Sequence, residues 1–549
     1  MNKNILSLTI GLMSLSGFSN ASENDIPNLK ILSEQTTAWT HNFNPWLGGL
    51  SSAEFAYEPL FIFNLLDDTK EYSWLATSYE MNEDLTQLNV KLREEVKWSD
   101  GVPFTADDVI FTFNYTHENP AIDITGLGSS ITSVEKINAH EIVINLAKKN
   151  AFSHLDILST KIIPQHIWKD IKDPAQELVQ SPVGTGPFTE IARFTPQVYI
   201  QCKNEHYWNN ELALNCLEFP QYASDDAALE MMGKGETDWN GIFVPDIERL
   251  FVNASEGNKY WFPSGDGVRI TLNFETKNEG AKKAFNDINF RKAFNLAMDR
   301  EAMRDFGAYG YVQLGNSATN LPASLQSWRD AEADEAWNQY SDYNLKLAKQ
   351  YLADAGYKDT NRNGYVENPD GSELRFVMQV PSGWSAMVNN AMIAIDGLRA
   401  AGINAHLITP EVQAYSQNWR GGNFDATFGG GSIASSGWKF YEYTMHSSYA
   451  KGGQWWSTTM TNYQNDQIDE VIQELSVTLD SDKQKELSSK IEKHFSDNLI
   501  QIPLYYNAIW YSYNDTRFTG FFSEDNPVAH PAPFENNKLL HVMHIKPRT

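Results

Sequence analysis

The sequence predicts a mixed α+β chain (α/β in its second part) folded into two lobes. Residues from about 30 to 275 read mainly as short strands and turns, whereas from about 275 to 500 helices alternate with strands. The last 50 residues return to aromatic-rich strand and loop, so the chain is expected to cross between lobes more than once. At 549 residues it also exceeds one ordinary domain.

The chain opens with an export signal. Lys3 gives a positive start, Ile5 to Phe18 is mostly apolar, and Ser19-Asn20-Ala21 ends small. Residues 1–21 therefore read as a cleaved secretory peptide, whose apolar stretch is too short to span a bilayer. No cysteine lies near the cleavage point, so no lipid anchor is expected there and the mature chain, starting at Ser22, should be free in an oxidising space. Loss of Lys3 takes the formal net charge from −27 to −28. Such a surface repels phosphate backbones and anionic lipid, which argues against nucleic acid as a partner and for a neutral or cationic ligand. The 16 tryptophans are many for a chain this polar, and some are expected to face that ligand.

Strand candidates in the first part are "LTQLNVKL" (85–92), "EIVINL" (141–146) and "TPQVYIQC" (195–202), alternating or β-branched stretches flanked by Asn, Gly and Pro. Between them, "VKWSDGVPFTADDVIFTFNY" (96–115) crowds Asp100, Asp107 and Asp108 together. Ser99-Asp100-Gly101 before Pro103 is turn chemistry, and Thr105 with Asp108 ahead of an apolar run is a capping box. These acids are read as structural punctuation. Helices are predicted in "NFRKAFNLAMDREAM", from the spacing of Phe290, Ala293, Phe294, Ala297 and Met298, and in "SDYNLKLAKQYLADAGY", closed by Gly356. "LRFVMQV" (374–380) and "NAHLIT" (404–409) are the accompanying strands.

Few motifs offer chemistry. "PVGTGPF" (182–188) has the glycines of a phosphate loop without its Lys-Ser/Thr ending, and reads as a tight turn at a lobe crossing. "HVMH" (541–544) reads as strand, which would point its two histidines to opposite faces. Cys202 and Cys216 are the only cysteines, and in an exported chain they are expected to form one local disulfide, with redox or metal roles as the lesser readings. "DTNRNGYVENPD" sets Asp359, Asn361, Asn363, Tyr365 and Asp370 at calcium-loop positions, with Asp in place of the usual final Glu. Structural calcium and a plain Asx-rich turn both fit this loop, and no other cofactor is expected. No hydrolase motif such as G-x-S-x-G or H-E-x-x-H occurs, so the chain is not expected to be an enzyme. A secreted glycoside hydrolase, whose paired carboxylates carry no sequence signature, is the remote alternative.

Several stretches together resemble the family 5 solute-binding proteins of ABC importers: "YEPLFIFN" (57–64), "VKWSDGVPFTADDVIFTFNY", "PVGTGPF", "NFRKAFNLAMDREAM" and "AKQYLADAGYKDTNRNG". The resemblance implies a two-lobed periplasmic binding fold with an extra subdomain, closing by hinge motion and delivering its ligand to the membrane subunits of a permease. On that pattern residues 22–275 plus 500–549 form lobe I, with a subdomain inserted at about 58–185, and residues 276–499 form lobe II. A monomer is expected.

For the ligand, peptide-binding members usually carry an acid that pairs with the peptide ammonium. The corresponding stretch here, "FDATFGGGSIASSGWKFYEY", has no carboxylate between Asp425 and Glu442. A buried ammonium would lack its partner there, which favours a neutral sugar. "NFNPWLGG" (42–49), "GETDWNGIFVPDIERL" and "RFTGFFSEDNP" also look like the chitooligosaccharide- and cellobiose-binding branch. That likeness implies Trp384 as a ring stacking on a pyranose, with Trp239 and Asn240 as further contacts. His41 stands beside Asn42 where the branch often has arginine, and Phe521 and Phe522 replace two tryptophans. Trp455 and Trp456 are open between a compensating role and core. The expected function is capture of a β-linked disaccharide or short oligosaccharide, with an oligopeptide as the alternative.

Overall fold

In the computed structural model, residues 26–548 are described except 47–48, 69, 124–125, 431–435 and 450–460. The expected signal and its cleavage site at Ala21, like Trp455 and Trp456, lie outside the described residues. Two large sheets anchor two lobes. The first runs in the order Asn258–Tyr260, Ser512–Asn514, Trp239–Asn240, Leu29–Leu32, Cys216–Pro220, Val198–Lys203, Phe188–Phe194. The second runs Gln313–Leu314, Ile502–Ala508, Ser264–Leu272, Ala426–Gly430, Arg375–Gln379, Asn404–Ile408. A four-stranded antiparallel sheet from Ala76–Met81, Gln87–Leu92, Glu141–Leu146 and Ile131–Asn138 sits beside the first.

Local rules explain these elements. In Glu141–Leu146, Ile142, Ile144 and Leu146 are buried while the alternate positions keep part of their surface, the period-2 pattern of a half-covered strand. Ahead of the helix Ala106–Glu118, the Thr105 amide donates to Asp108 Oδ2 at 3.0 Å, and Thr105 Oγ1 accepts from the Asp107 amide at 3.3 Å. Asp100 accepts from the Val102 amide at 3.2 Å in a turn whose Gly101 has φ +87°. The three crowded aspartates are thus a turn and a helix start. Cys202 and Cys216 lie opposite each other on adjacent antiparallel strands and are joined as a disulfide.

Two expectations change. "HVMH" belongs to the helix Lys538–His544, and His541 is fully buried, accepting from the Phe522 amide at 3.0 Å. The apolar residues Leu539, Leu540, Val542 and Met543 are buried too, so a continuous apolar run was read as strand where all sides of a short helix are covered. "PVGTGPF" lies within the first lobe and not at a crossing. A Cβ on Gly184 would stand 1.8 Å from the Ala56 carbonyl oxygen, and one on Gly186 2.3 Å from that of Phe55. These glycines let two backbones touch.

The chain crosses between the large sheets at residues 261–263 and 509–511. The two crossings bond to each other: the Trp261 amide donates to the Tyr511 carbonyl at 3.1 Å, and the Ile509 amide to that of Pro263 at 2.9 Å. Trp510 fills the space between Phe243 and Phe262, with ring centroids 5.0 and 5.2 Å away. The pairing puts Ser264–Leu272 and Ile502–Ala508 in the second sheet, although the sequence reading ran the first lobe to 275 and resumed it at 500. Their long β-branched and aromatic pairing outweighs any compositional boundary.

Buried acids set one pH response. Glu492 is fully buried against Tyr441 Oη at 2.7 Å and Thr319 Oγ1 at 3.0 Å, and burial pushes its carboxyl up to about 8. Glu58, held by the indoles of Trp74 and Trp208, is pushed up to about 7. A folded pKa above the unfolded one contributes stability at acid pH that is lost as pH rises toward the folded value. Melting temperature should therefore decline between about pH 5 and 8. Glu492→Gln should flatten that decline, and an unchanged profile would remove Glu492 as its source.

Candidate functional site

The carboxyl ends of the parallel strands meet where the two lobes face each other. Asn240, last residue of Trp239–Asn240, pairs with Ser512 just beyond the crossing, and Leu29–Leu32 runs parallel beside it. In the other lobe Gly430, last of Ala426–Gly430, pairs with Val268 midway along Ser264–Leu272. Open α/β sheets bind ligands at such carboxyl ends. Contacts close both flanks of the cleft. On one side Lys439 Nζ bonds Asp156 at 2.6 Å and Phe152 stacks on Trp438 at 5.4 Å, while on the other Ser385 Oγ donates to Asp225 at 2.9 Å.

The cleft carries polar groups that the protein does not answer. Asn240 is fully buried, yet neither its amide nitrogen nor its oxygen has a protein partner. The same holds for the hydroxyls of Ser33 and Ser512 beside it. Each such group costs on the order of 1–3 kcal/mol when left without a partner. Beside Asn240, Gly241 packs under the ring of Phe534, leaving 2.8 Å for a Cβ. The next residue, Glu535, keeps part of its surface, and desolvation pushes its carboxyl up to about 7.

From the second lobe come Asp266 and Arg269. Asp266 keeps some surface, but its Oδ1 is sealed and has no partner. Burial first, then Glu535 across the cleft, push its carboxyl well above the usual range against the pull of Arg269. Arg269 is 2% exposed, lies over the Phe440 ring at 5.7 Å and donates Nη1 to the Gly267 carbonyl at 3.4 Å. Its Nη2 has no partner, and desolvation lowers it to about 10. Trp384, 40% exposed at the start of the helix Ser385–Ala401, stands 6.1 Å from Tyr415, whose other neighbour is Trp419 at 6.3 Å.

A cavity of about 210 Å³ also lies between the lobes, walled by Tyr57, Phe61, Leu539, Lys161, Lys439 and Tyr443 among others. Its charges are compensated. Burial raises the Glu54 carboxyl, but Lys161 and Lys538 outweigh it and hold it at about 2.

The residues expected from sequence fall into two groups. Asn240 is buried at the end of its strand opposite Ser512, and Trp384 is exposed at the start of the helix Ser385–Ala401. Trp239 is fully buried, donating Nε1 to the Pro531 carbonyl at 2.8 Å, and Phe522 stacks on His541 at 4.0 Å within the same core. Phe521 is buried against Tyr513. Asn42 is buried and accepts from the Val179 amide at 3.1 Å, while His41 stacks on Phe194 at 4.0 Å and meets the Gln180 carbonyl at 2.9 Å. In the calcium-like loop, Asp359 accepts from the amides of Asn363 and Gly364, and Asn361 and Asn363 likewise cap turn amides, that of Tyr365 included. Asp370 turns to Lys283 at 2.6 Å and to Ser372. Among the described residues no group of three or more His, Cys, Asp or Glu is placed to hold a metal ion. Asp266 and Arg269 were missed by sequence. Their signal was a charge on each side of Gly267-Val268 within the strand Ser264–Leu272.

Residues 70–452 match the family described as bacterial extracellular solute-binding proteins, family 5. The chain is 25% identical over 439 residues to the oligopeptide-binding protein AppA of Bacillus subtilis, covering 76% of this chain and 75% of AppA. Its fold is similar to a periplasmic oligopeptide-binding protein of Thermotoga maritima solved with mannohexaose, with a TM-score of 0.84, 22% identity, and 95% and 98% of the two chains covered. It is also similar to AppA of B. subtilis solved with a nonapeptide, with a TM-score of 0.75, 21% identity, and 95% and 99% covered. These neighbours are two-lobed binding proteins, the fold expected from sequence. Among the described residues no helix is long and apolar enough to cross a membrane.

Proposed function

Because the chain belongs to the bacterial extracellular solute-binding proteins of family 5, the substrate-binding components of ABC importers, we propose that its cleft captures a short oligopeptide for a permease. Capture is by lobe closure about the 261–263 and 509–511 crossings, with no bond broken and ATP spent by other subunits. We place lobe I at 26–260 plus 512–548, with a subdomain near 58–185, and lobe II at 264–508. The protein acts as a monomer in the periplasm after removal of residues 1–21.

The observation that carries the peptide reading is the charged pair Asp266, partly exposed, and Arg269, buried, on the strand next to the crossing, each with an atom that no protein group answers. The sugar expectation rested on a missing acid between Asp425 and Glu442, but here a carboxylate reaches the cleft from another strand. Asp425 itself is spent on Thr276, Asn278 and the Val377 amide. The name of AppA, an oligopeptide-binding protein, supports the same reading. A second reading, an oligosaccharide, is supported by the exposed ring of Trp384 and by the mannohexaose in the Thermotoga structure.

A ligand that binds only the native state raises its melting temperature, by the equivalent of about 2.7 kcal/mol at a hundred times Kd. Di- to pentapeptides should produce such a shift. Shifts with cello-, chito- or laminari-oligosaccharides and none with peptides would replace the first reading by the second.

A further inference from the structure

We propose that residues 150–156 of the inserted subdomain act as a clasp on lobe II, so that contacts within the protein set the share of molecules already closed before any ligand arrives, and with it the affinity. The inference rests on capture by lobe closure and holds for a peptide or a sugar alike. Three different contacts meet at this flank. The Ala151 amide donates to the Ser476 carbonyl at 2.8 Å, backbone to backbone across the lobes. Phe152 stacks on Trp438, with 5.4 Å between centroids and 8° between planes, and its ring also meets that of Trp328 at 5.7 Å. Asp156 accepts from Lys439 Nζ at 2.6 Å.

Both sides of the clasp are held ready. Asn150 Oδ1 accepts from the Phe152 amide at 2.8 Å, in a turn that leads into the helix Ser153–Leu158, which carries Asp156. Opposite, Ser436 Oγ caps the helix Gly437–Met445 by accepting from the Lys439 amide at 3.1 Å, which fixes the turn carrying Trp438 and Lys439. Groups set in place before they meet lose less entropy on meeting, so more of each contact remains as a bias toward the closed form. The clasp can also release. Asp156 keeps part of its surface, and Lys439 retains Glu442 at 3.6 Å on its own helix when Asp156 leaves, so opening strands neither charge. A ring stack and a partly exposed ion pair each shift an open–closed equilibrium by up to about tenfold, enough to bias it and too little to lock it. On the opposite flank the bond from Ser385 to Asp225 is exposed and neutral at its donor, so it adds less.

The test uses the full mature protein with nitroxide labels at two exposed positions, Ser78→Cys in the subdomain and Lys485→Cys in lobe II, and reads their separation by double electron–electron resonance without ligand. The labelled protein should show mainly a short distance. Adding Phe152→Ala should move most of the distribution to longer distances, and Asp156→Asn should move it part of the way. Lys439→Met replaces Phe152→Ala if that variant folds poorly by circular dichroism. Trialanine, or cellobiose if trialanine does not bind, should restore the short distance in the variants, with a Kd at least about tenfold weaker, because apparent affinity scales with the closed fraction. The proposal is overturned if the variants keep the distribution of the parent, or if the parent is already mainly open before ligand. In either case a distance that shortens on adding ligand leaves the closure reading intact. Binding seen by calorimetry with no change of distance in any sample overturns that reading as well.

Discussion

Gly184→Ala is expected to destabilise the first lobe by about 3 kcal/mol or more, at the upper end of what one added methyl does in a packed interior. The new Cβ would stand 1.8 Å from the Ala56 carbonyl oxygen and 2.6 Å from its carbon. A side-chain tip could swing away from such a contact, but a backbone carbonyl cannot without moving the chain. That chain is anchored on this segment too, since the Gly186 amide donates to the same carbonyl at 2.9 Å and the Ser99 amide donates to that of Gly184 at 2.9 Å. Gly233→Ala is the control. It ends the helix Asp225–Gly233 with nothing within 4 Å of a new Cβ, and should be neutral or stabilising by up to about 1 kcal/mol. Thermal melts of the two variants decide the matter, and equal melting temperatures would mean that the two backbones do not meet at Gly184.

Asn240→Leu should produce two effects of opposite sign. Leucine removes two buried polar atoms that no protein group answers, so the ligand-free protein should melt no lower and gain up to about 1 kcal/mol. On the proposed reading the same change also deletes a ligand contact, and affinity for the best ligand of the panel should fall at least about tenfold. Stability held and binding lost is a signature that simple misfolding cannot give. A lower melting temperature in the ligand-free state would mean that Asn240 is satisfied inside the protein, and its place in the site would fall.

Much of this was legible before folding, and the legible parts are local. The Thr105–Asp108 box, the turn at Asp100, the helical faces at Phe290–Phe294 and Ala348–Leu352, and the Cys202–Cys216 pair each depend on neighbours within about a dozen residues. Trp384 was singled out by likeness to the sugar-binding branch of the family, and its ring is exposed at the start of the helix Ser385–Ala401. Trp239, Phe521 and Phe522 could not be sorted in the same way. An indole beside Asn240 looks like a ligand contact in sequence, yet Trp239 bonds a carbonyl 292 residues away and never reaches the cleft. "HVMH" failed for the same reason, because a short helix covered on all sides has no period to read.

By itself, then, the sequence determined the class of fold, the caps, the staple and the family, since each is written in short-range pattern. Only the tertiary structure decided which rings are core and where the chain crosses between the two large sheets. Alternation puts a side chain on one face of a strand or the other, but burial depends on what a distant segment lays against that face. Asp266 shows this directly. The stretch 426–441 has no acid, whereas Asp266 lies 160 residues before Ala426 on a strand that pairs with Ala426–Gly430, a proximity that only the fold creates.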